Sequence, residues 1–112
     1  MAGITHVLET ILYCTDLREA HRFYADVLGL RAVSDMSELG MGFRLSPTSV
    51  LLLFQPDESS KPGREVPSHG VRGPGHVGFA IEGGTLDAWR TRLRGAGVAT
   101  EQASTWKTGA RA

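Results

Sequence analysis

The pattern of apolar and polar residues in this 112-residue chain predicts an α+β fold made of two modules, each opening with a strand that runs directly into a helix. Three observations carry the prediction. An apolar run over residues 8–14 precedes a helix with both a start and a stop signal. Short strand patterns follow, separated by turn-forming residues. After a proline-rich stretch, a strand and a helix return in the same order. The expected organisation is strand–helix–strand–strand–strand over about residues 5–56, a linker over about 57–74, and an incomplete second copy over 75–112.

The first strand reads Leu8-Glu9-Thr10-Ile11-Leu12-Tyr13-Cys14. Alternation places Glu9 on one face with Val7, Ile11 and Tyr13, and Leu8, Thr10, Leu12 and Cys14 on the other. Asp16, with Glu19 three positions on, has the form of a capping box. From there Leu17, Ala20, Phe23, Tyr24, Val27 and Leu28 recur at helical spacing. Gly29 ends the helix, because glycine enters the left-handed conformation without steric cost.

Residues 30–34, 41–45 and 50–55 are the next strand candidates, with Gly40, Gly42, Pro47 and Ser49 as punctuation. Val50-Leu51-Leu52-Leu53-Phe54 is an unbroken apolar run, the pattern of a strand covered on both faces, one of which can be a pocket. Prolines 56, 62, 67 and 74, mixed with serines, glycines and charges, make residues 56–74 a long irregular connection, read as a linker rather than a lid. Residues 75–81 then read as a strand, Thr85 as a helix cap, and Leu86, Trp89 and Leu93 as a buried stripe. Gly95 and Gly97 close that helix, and residues 98–106 begin another extended stretch.

Composition excludes several functions. Forty-one per cent apolar and 21 per cent charged residues are a globular mixture. Twelve basic residues balance twelve acidic ones, so no long-range field favours nucleic acid or a membrane surface. No apolar run approaches the roughly 20 residues that span a bilayer. No leader is recognisable before the first strand, and a soluble cytoplasmic protein is expected. Cys14 has no second cysteine to pair with and reads as a small buried hydrophobe.

Two residues stand out for chemistry. Glu9 and His76 each interrupt an apolar strand just ahead of a helix. If they converge, they offer oxygen and nitrogen donors to a divalent cation. His76 shares its face with Gly78 and Ala80, which leave room beside it, whereas Val77, Phe79 and Ile81 form the large apolar face. The plainer readings are an edge carboxylate paired with an arginine for Glu9 and a hydrogen-bonded core imidazole for His76.

His6 has the opposite parity to Glu9 and reads as structural or surface. His21, amid Arg18, Arg22 and Ala25, reads as solvent-exposed. His69 lies in the irregular connection, where it can overhang a pocket as a proton shuttle. Tyr13 shares the face of Glu9 and either lines the cavity or packs there. Phe54, Trp106 and Arg44 are candidates for shaping a substrate site, although no spacing separates them from packing or surface roles. Trp89 reads as core.

The stretch from Glu9 to Leu17, followed by Phe23-Tyr24 and Val27-Leu28-Gly29-Leu30, resembles the opening module of the vicinal oxygen chelate superfamily, the glyoxalase, bleomycin-resistance and extradiol dioxygenase group. Gly73-Pro74-Gly75-His76-Val77-Gly78-Phe79-Ala80 is similar to the opening of its second module. The resemblance implies paired βαβββ modules forming a curved, open mixed sheet around a cavity that holds a divalent metal ion (Fe, Mn, Ni, Co or Zn). Glu9 and His76 match the ligand positions on the first strand of each module. A third ligand is expected from a glutamate on a late strand of the second. The chain reads Thr108-Gly109-Ala110-Arg111-Ala112 about where that strand is expected to begin, so no third ligand is assigned and the second module is expected to be truncated.

The resemblance implies a metal-dependent enzyme acting on a small oxygen-rich substrate, with Glu9 as ligand or base; His69, from its place in the irregular connection, is the further catalytic candidate. Lyase or isomerase chemistry is favoured over dioxygenase chemistry, because iron-dependent oxygen chemistry often uses two histidines and only one matches. The alternatives are a metal-free protein that binds a small molecule or antibiotic, and an inactive truncated form. The zero net charge gives little support to a binder of cationic drugs. An incomplete sheet exposes strand edges, so a homodimer is expected.

Overall fold

The computed structural model describes residues 2–103, which divide after Gly75 into two compact units. In the first unit the strands are β1 (Glu9–Tyr13), β2 (Arg31–Ala32), β3 (Gly40–Ser46) and β4 (Ser49–Phe54). They form one open mixed sheet in the order β1-β4-β3-β2. β1 runs parallel to β4, and the other two pairings are antiparallel. All three strand patterns expected after the helix join this sheet.

The helix starts as predicted. The Asp16 carboxylate accepts the Glu19 N–H at 3.0 Å, opening α1 (Leu17–His21). It then continues as a π-helical segment, Arg22–Val27, rather than as an even α-helix. The Leu28 N–H reaches back five residues to the Phe23 carbonyl at 2.9 Å, and Gly29 leaves the helix at φ 74°. A wider turn shifts the phase of every side chain beyond it. Ala25 therefore joins Leu17, Ala20 and Tyr24 against the core. His21, expected in solvent, is half-buried with its ring 5.8 Å from that of Phe43.

Met41, Phe43, Leu51 and Leu53 form the core, with Phe43 and Leu51 fully buried. Burial alternates along β4: Leu51 and Leu53 are buried, whereas Val50, Leu52 and Phe54 are only half-buried. The apolar run is thus fully covered on one face and partly open on the other, unlike the strand covered on both faces that its composition suggested.

The proline-rich connection is tied down. Gln55 caps a short helix, α2 (Pro56–Ser59), by accepting the Asp57 N–H, and proline suits the first turn because it has no N–H to satisfy. Beyond it, the Ser59 hydroxyl donates to the His69 carbonyl at 2.7 Å, and the His69 N–H donates to the Ser59 carbonyl at 3.0 Å. Ser68 Oγ donates to the Lys61 carbonyl at 2.9 Å. A segment read as a linker is therefore a closed loop belonging to the first unit, at least as far as Gly75.

The second unit contains α3 (Leu86–Gly95). Thr85 precedes it, but its hydroxyl donates backward to the Glu82 carbonyl at 2.6 Å instead of capping the helix. Leu86, Trp89 and Leu93 make a half-buried stripe, and Arg92 lies over the Trp89 ring at 5.2 Å. The Val98 N–H closes the helix end on the Leu93 carbonyl at 2.9 Å, with Gly97 at φ 82°. Residues 75–81 form no strand, contrary to expectation, and neither do residues 98–103. A strand-patterned run becomes a strand only when another segment supplies the ladder. Among the described residues none does so here. Trp106 lies outside the described residues.

Candidate functional site

The sheet face turned away from the core carries Glu9, Tyr13, Phe54 and Arg44, four of the residues singled out from the sequence. Register partners project to the same side of a sheet, so the pairing fixes its layout row by row. Tyr13, Phe54 and Gly40 form one row, and Ile11, Leu52 and Gly42 the next. Glu9, Val50, Arg44 and Arg31 form the third. In the middle row, a Cβ on Gly42 would lie 3.0 Å from Leu52 and 3.1 Å from Val33, whose side chains close over it. The face is thus aromatic at one end, apolar in the middle and charged at the other.

The aromatic end gathers three residues singled out from the sequence. Tyr13 Oη and His69 Nδ1 share a hydrogen bond of 2.8 Å, with donor and acceptor set by the imidazole tautomer. The Phe54 ring meets the His69 ring edge-on at 4.6 Å between centroids. Ser59, buried beneath, fixes the His69 backbone through the two bonds already described. Tyr13 therefore does more than pack, and His69 is brought over the sheet by the loop that was read as a linker. Nothing in the sequence pointed to Ser59, because its role depends on the loop closing.

At the charged end Glu9 is exposed, and among the described residues it has no ion pair or hydrogen bond. The arginine partner required by its plainer reading is therefore not present there. His76 is exposed within its own unit. His6 is exposed too, bonded to Thr5 Oγ1 at 2.8 Å and to the Thr48 carbonyl at 3.2 Å, in keeping with a structural or surface role. Glu9 and His76 suit a divalent ion in kind, as an oxygen and a nitrogen donor. They fall short in number: among the described residues no three His, Cys, Asp or Glu side chains gather to hold a metal ion, and catalytic sites usually offer three protein donors.

At the end of β1 a cavity of about 510 Å³ is lined by Tyr13, Cys14, Asp16, Phe23, Tyr24 and Arg72, among others. Burial, and secondarily the Asp16 charge, pushes the Cys14 thiol up. Burial, then Cys14, does the same to the Tyr24 phenol. Neither group is an activated nucleophile, and Cys14 packs against the core, much as a small hydrophobe would. Arg72 is paired with Asp57.

An open mixed sheet with strand order β1-β4-β3-β2, a helix packed on one face and a polar-rimmed second face, defines an α+β domain of the βαβββ type. Residues 3–110 match the Glyoxalase/Bleomycin resistance protein/Dioxygenase superfamily, and the chain belongs to it. It is 34% identical to the lactoylglutathione lyase of Agrobacterium tumefaciens, over 98% of this chain and 84% of that one, with a TM-score of 0.87. A glyoxalase/bleomycin resistance protein/dioxygenase from Nocardioides is 20% identical, over 99% and 75% of the two chains, at a TM-score of 0.69. A superfamily member from Sphaerobacter thermophilus is also 20% identical, over 96% and 85%, at 0.63. The last two are alike in fold alone. No curated protein matches the chain. Among the described residues no helix is long and apolar enough to cross a membrane.

Proposed function

We propose that this protein is a lyase or isomerase that binds a divalent cation through Glu9 and His76 and acts on a small oxygen-rich molecule. The supporting observation is Glu9 itself: a carboxylate exposed on the uncovered sheet face, unpaired among the described residues, in a chain 34% identical to a lactoylglutathione lyase. Glu9 and His76 would hold the cation, which would supply Lewis-acid chemistry to an oxygen-rich substrate. Ile11 and Leu52 offer apolar surface beside Glu9 for the body of the substrate.

Glu9 and Tyr13 lie four residues apart on β1, about 13 Å, so His69 serves a different part of the substrate from Glu9. Tyr13 and Phe54 hold the imidazole in one orientation, and the ring exchanges a proton with that remote group or hydrogen-bonds to it. The outer edge of β1 is unpaired among the described residues, and Ile4, Val7 and Leu8 before or beside it are exposed. These features support a homodimer. The free thiol of Cys14 is at home in the reducing cytoplasm.

Equilibrium dialysis against Mn, Fe, Co, Ni and Zn ions, followed by metal quantification, tests the reading. Turnover between lactoylglutathione and glutathione plus the matching 2-oxoaldehyde is measured in parallel. Glu9→Ala and His76→Ala are each expected to weaken metal retention at least about tenfold and to abolish turnover. Retention equal to that of the parent in both variants overturns the assignment. A parent that retains no metal but still binds small molecules would move the protein to the binding class.

A further inference from the structure

We infer that Arg31 and Arg44 form an oxyanion clamp at the far end of the row that carries Glu9, and that the substrate of this face bears a carboxylate or phosphate group. The inference takes from the proposed function only that this face meets the substrate. Arg31 and Arg44 are direct register partners across β2 and β3, on the uncovered side of the sheet. Like charges facing each other across antiparallel strands destabilise a sheet. The observed ion pairs engage Lys61, Arg64, Arg72 and Arg90, and among the described residues the side chain of neither Arg31 nor Arg44 makes a hydrogen bond or ion pair. Arg44 is half-buried and so loses part of its hydration as well.

Glu9 does not relieve this strain. Val50 stands between it and Arg44, and two strand spacings put the backbones about 10 Å apart. Among the described residues Glu9 makes no ion pair with either arginine. The register irregularity between Arg44 and Ser46 adds local twist immediately beyond the arginine. What two adjacent guanidinium groups bind best is an oxyanion, because their planar forks match carboxylate and phosphate oxygens two at a time. The layout thus describes a substrate whose anionic group meets the end of the row opposite Glu9.

Thermal unfolding at constant ionic strength tests the clamp, with sodium chloride replaced stepwise by sodium malonate or by sodium phosphate. The parent is expected to gain Tm saturably with at least one of the two. A response to malonate alone assigns a carboxylate, and a response to phosphate alone a phosphoryl group. Arg31→Gln and Arg44→Gln are expected to start from a Tm higher by about 1–5 °C in chloride, because the repulsion is gone. Their anion affinity should be at least about tenfold weaker.

Arg44→Lys keeps the charge without the fork and should fall between parent and Arg44→Gln. Arg22→Gln, on the helix, should behave as the parent. No saturable gain with either anion, or an undiminished gain in both glutamine variants, overturns the clamp. Glu9→Ala separates the two readings: it should lose metal in dialysis yet keep the anion response. A parent that retains no metal but shows the anion response sinks the proposed function while leaving the clamp standing.

Discussion

The two faces of the four-stranded sheet are made from the same strands and do different work. One face carries Met41, Phe43, Leu51 and Leu53 beneath the helix. The other carries Glu9, Ile11, Val50, Leu52, Arg44 and Arg31, set one residue out of step with the first. Because side chains alternate, a slip of one residue would exchange the two sets completely. Stability is therefore concentrated on one face, and the other is free to hold an unpaired carboxylate and two facing arginines.

The sharpest way to break this comparison is to remove comparable bulk from each face. Phe43→Ala removes a ring that is fully buried against His21 and Tyr24, and is expected to cost about 3–5 kcal/mol. Ile11 is 36% exposed on the other face, and Ile11→Ala is expected to cost no more than about 1–2 kcal/mol. Equilibrium urea unfolding of both variants gives the two values. Equal losses would mean that the open face is buried by something and that the division of labour is wrong.

A second test uses glycines. A Cβ on Gly40 would sit 2.2 Å from the Leu53 carbonyl oxygen, a backbone atom that cannot move without disturbing the β3–β4 ladder. Gly40→Ala is expected to cost about 1–3 kcal/mol in the same measurement. Gly78, in the second unit, has nothing within 4 Å of an added Cβ, so Gly78→Ala should leave unfolding unchanged. A loss at Gly78 as large as that at Gly40 would show that residues 75–81 pack as tightly as the sheet.

What the sequence revealed, and what it hid, follows the range of the forces involved. Asp16 as cap, Gly29 as stop, and the parity of Glu9 and Tyr13 are local facts, decided within a few residues, and they were legible. The π-helical turn was not, because a repeat at helical spacing does not mark where the turn widens; His21, just ahead of it, was misplaced because its contact with Phe43 depends on how the helix docks on the sheet. The Tyr13–His69 bond joins residues 56 apart, so it became visible only once the loop had closed on Ser59. Arg44 could be suspected from the sequence and Arg31 could not, since their meeting depends on a register that no residue type announces. Residues 75–81 carry a strand pattern as good as that of residues 8–14. The difference lies in the partner: β1 has β4, whereas residues 75–81 have no ladder among the described residues.

The smallest expected effect concerns the rim between the faces, where Cys14 ends the line of β1. Its thiol is pushed up mainly by burial and further by the Asp16 charge, so the folded chain holds that proton more tightly than the unfolded chain does. The unfolded state then binds fewer protons as pH rises past the ordinary thiol range, and stability falls with pH there. The contribution is fully present below the unfolded value and is lost as pH climbs through the folded one. Urea midpoints measured from neutral to alkaline pH should fall more steeply in the parent than in Cys14→Ala. Part of the slope should survive in the variant, because burial also raises the Tyr24 phenol. Asp16→Asn should reduce the slope less than Cys14→Ala does, since burial is the larger cause. A Cys14→Ala profile that overlays the parent would place the thiol in solvent and leave the helix-side face without its seal at this end.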